Sequence, residues 1–273
     1  MAYLIISLDT ELHWGYNLYP NNQFAKILRD NEKNAIESIY RFLNLFDKYR
    51  FNVTWAIVGR LFIDHPELIE RIISSSNQHE IGYHSFSHPV FPDCSRRIAE
   101  DEILKGVALA KDFGLELKSF VFPENKIGHI DILKKYKFKI YRGYNLNGKN
   151  INKNLPIRAI NYSFSKIIPP DVKAIRKDGI WELPSSMVFY DPQVRCTLGI
   201  RSFLGIKRSI QRDSIFHIFL HPEDLLRDPM LLITLESVLR FASKERERKN
   251  LEIITMGSLY DILEPDDEHY SIS

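Results

Sequence analysis

The sequence predicts an α/β protein, and three observations lead to that fold class. Short apolar runs recur along the 273 residues, amphipathic helical stretches separate them, and this alternation persists over most of the chain. Alternating strands and helices predict parallel strands covered by helices, in either an α/β barrel or an open sheet. The number of apolar runs favours an irregular barrel. We expect one domain over residues 1–273, with an irregular insertion around residues 142–179 that is rich in Asn, Lys and Pro.

Eight apolar runs mark the expected strands, at residues 3–8, 53–58, 79–83, 119–122, 138–141, 181–183, 215–220 and 251–254. Helical spacing of apolar residues is clearest over residues 31–50, where Ile36, Ile39 and Leu43 recur on one face. Further helices are expected at residues 66–75, 95–113, 130–136, 201–212 and 229–248. Pro66, directly after His65, is typical of a helix start.

The composition excludes several classes of protein. Hydrophobic residues make up 44% of the chain, enough for a sizeable core, and a net charge of +2 gives no general attraction to nucleic acid or acidic membranes. Two cysteines, Cys94 and Cys196, are too few for a disulfide framework and indicate free thiols in a reducing compartment. Without a leader pattern or an apolar run of ~20 residues, we expect a cytoplasmic protein with no transmembrane segment. The sequence indicates no oligomeric state.

Two acidic residues close the first expected strand. Asp9 and Glu11 lie two residues apart in the run Ser7-Leu8-Asp9-Thr10-Glu11, so an extended backbone points both carboxylates to one side. α/β proteins place catalytic groups at the carboxyl ends of their strands. Taken alone, the pair is more typical of a strand-end turn with solvated acids.

Two histidines follow the third expected strand in the run His84-Ser85-Phe86-Ser87-His88-Pro89. Rings four residues apart share a metal only if the segment turns, since in a strand they would be roughly 13 Å apart. The two serines and Pro89 favour a turn. A histidine-rich loop without ligands is the alternative interpretation.

A third feature is His221, which lies at the carboxyl end of an apolar strand, just before Pro222. An imidazole in that place suits a proton donor. His217 faces the same side of the strand as His221 but lies four residues earlier. We interpret it as a structural core histidine.

These features together resemble the polysaccharide deacetylase family, carbohydrate esterase family four. The second and fifth motifs of the family are matched by residues 84–88 and 220–222, and its first motif is matched loosely by residues 7–11. Residues 120–125 and 181–184 are similar to its third and fourth motifs. The resemblance runs from the first strand to about Asp224 and implies an irregular (β/α) barrel of about seven parallel strands.

The resemblance also implies a reaction, metal-dependent hydrolysis of an amide bond by N-deacetylation of an acetamido sugar in a surface glycan or its precursor. It implies a divalent metal, with zinc the default, held by Glu11, His84 and His88. Asp9 would then remove a proton from the attacking water, and His221 would protonate the leaving amine. The residues expected to contact the carbohydrate substrate are Trp14, Pro123, Asn125 and Trp181.

Two departures from the family pattern leave alternatives open. Thr10 stands where the family has a metal-binding aspartate, so that role moves to Glu11. The third motif lacks the arginine that orients the catalytic aspartate; either Arg142 or another distant base substitutes, or Asp9 is held differently. The alternatives are a cyclic amide or ureide hydrolase of the same fold, an inactive sugar-binding domain, and an iron oxygenase using the same ligands.

Overall fold

The computed structural model describes residues 1–16, 19, 21–143, 168–192 and 195–265. Its strands join one ten-stranded sheet: β1 (Ala2–Thr10), β2 (Thr54–Ile57), β3 (Glu80–Tyr83), β4 (Ser119–Val121), β5 (Ile140–Gly143), β6 (Ile175–Lys177), β7 (Ile180–Pro184), β8 (Met187–Val188), β9 (Ile215–Leu220) and β10 (Leu251–Ile254). All eight expected strands are present. The single domain over residues 1–273 stays a prediction, and residues 144–167 of the expected insertion lie outside the described residues.

The sheet is parallel except at one hairpin. Its order is β6-β7-β5-β4-β3-β2-β1-β9-β8, with β10 also paired to β1, and only β6 and β7 run antiparallel. This curled, mostly parallel half-barrel confirms the α/β fold expected from the sequence. β1 pairs with β2, β9 and β10, which makes it the central strand. Its residues are buried along nearly their whole length, as expected for a parallel strand covered on both faces.

Helices cover the outer face of the sheet. They are α1 (Gln23–Asp30), α2 (Glu32–Tyr49), α3 (Arg60–Asp64), α4 (Pro66–Ile73), α5 (Arg96–Asp112), α6 (Ile130–Lys135), α7 (Leu198–Arg212), α8 (Met230–Glu247) and α9 (Met256–Leu263). The six expected helices correspond to α2 and α4–α8. Pro66 occupies the first turn of α4, and Ser95 caps α5 by accepting a hydrogen bond from the backbone N–H of Ile98. No helix in the described part of the chain is long and apolar enough to cross a membrane.

Strand alternation separates two apolar cores. Leu4, Ile6 and Leu8 point outward into the main core beneath the helices. Ile5 belongs instead to a smaller interior cluster that includes Ile140 of β5, Ile215 of β9 and residues of α9. This inner cluster lies toward the amino end of the half-barrel.

The interior becomes more polar toward the carboxyl ends of the strands. One step beyond Ile5, the Ser7 hydroxyl lies 2.9 Å from Nε2 of His217, and the Nδ1 of His217 lies 3.2 Å from the carbonyl oxygen of Pro184. Burial, with the nearby charge of Arg142, lowers the pKa of His217 to about 3, so this histidine is neutral at physiological pH. His217 is therefore a structural histidine, and the next layer, at Asp9, holds the candidate site.

Candidate active site

The ends of two strands bring one carboxylate and two imidazoles together. Glu11 follows β1, and His84 and His88 follow β3; one ligand atom of each lies within 4.8 Å of the others. Oε2 of Glu11 is 3.1 Å from Nε2 of His84 and 2.9 Å from Nε2 of His88. All three side chains are buried. The grouping that the sequence predicted for a metal is thus present in space.

The donor set fits a divalent metal. Nδ1 of His84 lies 2.7 Å from the carbonyl oxygen of Val121, an acceptor that requires the proton on Nδ1 and leaves the lone pair of Nε2 available to a metal ion. A histidine held by its second nitrogen is the usual arrangement of a metal-binding imidazole. Two imidazole nitrogens and a carboxylate oxygen suit zinc and leave coordination positions open, although the same set also suits ferrous iron.

A tight turn brings the two histidines together. Ser85 and His88 both adopt left-handed backbone conformations, with φ of 62° and 63°, and the Ser85 hydroxyl accepts a hydrogen bond from the backbone N–H of His88 at 3.0 Å. The two ring centroids are 4.8 Å apart as a result. Left-handed conformations in residues other than glycine are uncommon and concentrate at functional sites. The turn that the sequence predicted is therefore present.

Glu102 of α5 anchors this turn from behind. Its carboxylate accepts hydrogen bonds from the backbone N–H groups of Phe86 and Ser87, at 2.8 and 2.7 Å, and from the Ser87 hydroxyl at 2.6 Å. The Tyr83 hydroxyl in turn donates to the backbone carbonyl of Glu102. Sequence reasoning missed Glu102, and the only signal for it was a single acid on the otherwise apolar face of an amphipathic helix.

Asp9 is held by a bidentate ion pair. Arg142 of β5 donates from Nη1 and Nη2 to the two carboxylate oxygens, at 2.6 and 2.5 Å, and donates from Nε to the Asn125 side chain at 2.9 Å. Burial alone would raise the pKa of Asp9, but the charge and hydrogen bonds of Arg142 outweigh it and lower that pKa. Of the alternatives left open by the sequence, the structure has Arg142 in contact with Asp9.

His221 lies between three carboxylates. Its Nε2 is 3.6 Å from both Asp9 and Glu11, and its Nδ1 is 3.7 Å from Asp224. About a quarter of the side chain remains exposed, in contrast to the buried pair His84 and His88. The ring therefore presents one nitrogen to the candidate site and the other to Asp224, which suits a group that carries a proton.

The charges around Glu11 are strongly coupled. Burial raises the pKa of Glu11, but the charges of His88 and His221 and hydrogen bonds from both metal-facing histidines bring it well below its usual range. Burial lowers the pKa of His88, and Glu11 reverses that shift, so the net pKa is raised. Glu223, fully buried nearby, has a pKa well above its usual range because of burial and the negative charge of Glu11. Sequence reasoning did not identify Glu223.

These groups open into one cavity of about 390 Å³. Its walls are formed by Asp9, Glu11, Gly15, Tyr16, Tyr19, Asn22, His84, His88, Glu124, Asn125 and His221. Gly15 is required where it stands, because a Cβ atom there would lie 2.1 Å from a carboxylate oxygen of Glu11. The tyrosines, Asn22 and Glu124 are cavity residues that the sequence analysis did not single out.

The residues expected to contact substrate are distributed unevenly. Asn125 lines the cavity, and Pro123 is buried at the start of the 3₁₀ turn that carries Asn125. Trp14 packs against the guanidinium of Arg60, 4.9 Å from its ring centre, and is not among the residues of the cavity wall. Trp181 lines a separate cavity with Tyr260 and donates a hydrogen bond to Glu264 of the C-terminal segment. The structure therefore does not bring Trp181 to this site, because it stands near the amino end of β7.

Comparisons with known proteins support the resemblance to polysaccharide deacetylases. A family model described as polysaccharide deacetylase matches residues 34–129, which include the His84–His88 turn. A peptidoglycan deacetylase of Helicobacter pylori is 26% identical over 238 residues, covering 76% of this chain and 78% of that protein. Both matches confirm the resemblance of this chain to the polysaccharide deacetylase family, as a divergent relative at low sequence identity.

Solved structures share the fold of this chain. A crystal structure from Mycobacterium smegmatis, assigned to the polysaccharide deacetylases, matches with a TM-score of 0.71 at 13% identity and covers 95% of this chain and 89% of that chain. The PuuE allantoinase also matches with a TM-score of 0.71, at 12% identity, covering 99% of this chain and 92% of that chain. At such identities the likeness establishes the fold alone. Within the family pattern, the arginine beside Asp9 comes from β5 rather than from the third motif.

Proposed function

We propose that this protein is a metal-dependent deacetylase that removes the acetyl group from an acetamido sugar. The observation that carries the proposal is the convergence of the Glu11, His84 and His88 group with the Asp9–Arg142 pair and His221 in one cavity. Resemblance to the family supports hydrolysis of an acetyl amide on a carbohydrate. The name of the H. pylori relative supports a cell-surface glycan or its precursor as the substrate.

In this proposal Glu11, His84 and His88 hold the metal, and zinc is the default by donor type. A divalent metal bound there would lower the pKa of a water molecule toward about 7 and polarise the acetamide carbonyl. The buried turn around His84 and His88 fixes the two nitrogens before any ligand arrives, because Glu102 and Val121 already hold the turn. Such prior positioning reduces the reorganisation that binding would otherwise require.

Asp9 accepts the proton of the attacking water. Its lowered pKa keeps it ionised at neutral pH, and the bidentate contact with Arg142 fixes the direction of its free lone pairs. A carboxylate with a lowered pKa is a weak base, and it is sufficient here only if the attacking water is itself acidified. Asp9 does not belong to the three-residue ligand group, which leaves its oxygens available for this task.

His221 supplies the proton that the leaving amine needs, because an amine cannot depart as an anion. Its Nε2 faces Asp9 and Glu11 in the cavity, while Asp224 lies 3.7 Å from Nδ1 on the other side of the ring. A proton donor and a separate acceptor within one cavity allow the two proton transfers of amide hydrolysis to use different side chains.

The test is acetate release by the zinc-loaded protein from a neutral N-acetylglucosamine oligosaccharide and from peptidoglycan fragments. We expect turnover with zinc and none after chelation, with His88→Ala as the inactive reference. Release of product from a cyclic ureide, with no acetate from either glycan, would favour the alternative within the same fold. Failure to bind zinc would instead favour an inactive sugar-binding domain, and oxygen-dependent turnover would favour an iron enzyme.

A further inference from the structure

Glu124 lies in the wall of the catalytic cavity but has no role in the proposed reaction. Its carboxylate accepts a hydrogen bond from the Tyr19 hydroxyl at 2.5 Å on one oxygen and forms an ion pair with Lys126 at 2.6 Å on the other. The ligand group beside it contains only Glu11, His84 and His88 among the described residues. Glu124 is therefore a fixed carboxylate that faces the place where substrate must lie.

The backbone conformation at Glu124 and Asn125 directs the Glu124 side chain toward the cavity. Glu124 and Asn125 both have φ of 53°, two successive left-handed residues in the 3₁₀ turn after β4. Residues other than glycine adopt this left-handed conformation only where contacts with the surrounding structure stabilise it. Here Arg142 binds the Asn125 side chain, and the backbone N–H of Asn125 donates to Phe122 at 2.9 Å. The group that fixes Asp9 thus also fixes the turn that carries Glu124.

The charge of Glu124 decides which ligand it accepts. The ammonium of Lys126 and the hydroxyl of Tyr19 both stabilise the ionised form, and each carboxylate oxygen keeps a further lone pair. An ionised carboxylate is an acceptor only, so it binds hydroxyl groups of a sugar and repels an anionic substituent at the same place.

We propose that Glu124 is a specificity-determining residue that accepts hydrogen bonds from hydroxyl groups of a neutral sugar ring and disfavours substrates with an anionic group beside the reacting acetamide. This inference rests on the proposed deacetylase function and narrows its substrate class. It predicts a preference for neutral N-acetylglucosamine units over units oxidised to a carboxylate at C6.

The chain contains a matched control. Glu236 of α8 has the same kinds of partners, an ion pair with Lys48 at 2.6 Å and a hydrogen bond from the Tyr49 hydroxyl at 3.0 Å. Glu236 is not among the residues that line the catalytic cavity. Glu124→Gln and Glu236→Gln therefore remove the same charge from the same kind of cluster, with only one of them inside the site.

The first experiment compares kinetics on chitotetraose and on the same oligosaccharide carrying C6 carboxylates, with zinc-loaded protein. For Glu124→Gln on chitotetraose we expect KM to rise about tenfold, because a neutral amide oxygen replaces the charged acceptor, with kcat within about twofold. The preference for the neutral over the oxidised substrate should fall at least about fivefold in this variant and stay unchanged in Glu236→Gln. An unchanged preference, or a loss confined to kcat, overturns the inference.

The second experiment measures binding without turnover. In zinc-loaded Asp9→Asn protein, calorimetry with chitotetraose should give a Kd about tenfold weaker when Glu124→Gln is added and no change when Glu236→Gln is added. Absence of acetate release by the wild-type protein would refute the deacetylase function and leave this binding comparison intact. Equal affinity in both double variants, or no binding by the Asp9→Asn protein, would refute the role of Glu124 itself.

Discussion

The two ends of the parallel sheet use acidic residues in different ways. At the amino end, Glu80 of β3 accepts hydrogen bonds from the Thr54 hydroxyl and from the backbone N–H of Gly257, both at 2.8 Å. The same hydroxyl accepts from the N–H of Met256, so the two residues cap the start of α9. Every one of these donors is neutral, and the inner apolar cluster lies beside them. Glu80 therefore serves to attach α9 to the sheet.

At the carboxyl end the acids are surrounded by groups that carry or exchange protons. Asp9 faces Arg142 and His221, and Glu11 faces three histidines, although burial of both carboxylates opposes their charge. Proteins tolerate such an arrangement where a cavity and a reaction require it. The comparison shows that burial alone does not identify a functional acid: the nature of its partners and its access to a cavity do.

The largest effect is expected from substitutions at the carboxyl end itself. Asp9→Asn keeps the shape of the side chain but removes the base, so we expect kcat to fall by roughly 10³ or more while zinc remains bound. His88→Ala removes a ligand nitrogen, and we expect both turnover and zinc to be lost. Acetate release and metal analysis by mass spectrometry measure the two properties separately. Equal zinc loss in the two variants would show that Asp9 is a ligand and not the base.

A smaller loss is expected when the partner of Asp9 is removed. Arg142→Met leaves Asp9 buried without its cation, so burial becomes dominant and the pKa of Asp9 rises. In the wild-type protein this lowered pKa keeps Asp9 ionised, and its stabilising effect is lost only as pH falls through the folded-state pKa. We therefore expect the acidic limb of the kcat profile to move to higher pH in Arg142→Met, with kcat reduced about 10²-fold.

Thermodynamic stability provides a second measurement for the same pair. Breaking a buried ion pair by removing one partner typically costs ~3–5 kcal/mol in free energy of unfolding. Arg142→Lys, which keeps the charge but not the two parallel hydrogen bonds, should leave the acidic limb closer to its wild-type position. An acidic limb that does not move in Arg142→Met would mean that Asp9 does not set it.

The elements of the fold followed from the sequence where apolar runs were long and sharply bounded. β9 and β10 have the bounds expected from the sequence, residues 215–220 and 251–254. β6 was missed because all three of its residues are exposed, and β8 because it has only two. α3 has only five residues, too few for a helical period to show. α1 and α9 were also missed although both bury apolar residues, because their eight residues make only about two helical turns. The signal was buried periodicity over a sufficient length, and shorter or exposed elements were not visible.

The sequence predicted the site residues that lie at the ends of strands, but not the partners that hold them. Five of the predicted residues end or follow a strand of the sheet, and parallel strands bring their carboxyl ends to one edge. These residues are Asp9, Glu11, His84, His88 and His221. Partners on neighbouring elements could not be assigned, because Glu102 reaches the turn from a helix and Arg142 reaches Asp9 from β5. Trp181 was placed in the site through a weak motif, although its position near the amino end of β7 directs it to another cavity.

Removing the support beneath the histidine turn should have an intermediate effect. Glu102→Ala leaves the backbone N–H groups of Phe86 and Ser87 without their acceptor, so we expect zinc affinity to fall about 10- to 100-fold. Competition with a chromogenic chelator measures that affinity. Glu102→Gln retains an acceptor oxygen at nearly the same place and should restore most of it. If Gln and Ala are equally impaired, the negative charge of Glu102 matters more than its hydrogen bonds.

The smallest effect is expected at the amino end, where it tests the comparison directly. Glu80→Gln keeps an acceptor for Thr54 and Gly257 but removes a negative charge from the start of α9, which should lower the free energy of unfolding by ~0.3–1 kcal/mol. Urea denaturation measures this change. Zinc affinity, kcat and KM should all stay at wild-type values, because the inner apolar cluster separates Glu80 from the catalytic cavity. A loss of zinc in Glu80→Gln would show that the two ends of the sheet are coupled and that the division between a structural and a catalytic end is wrong.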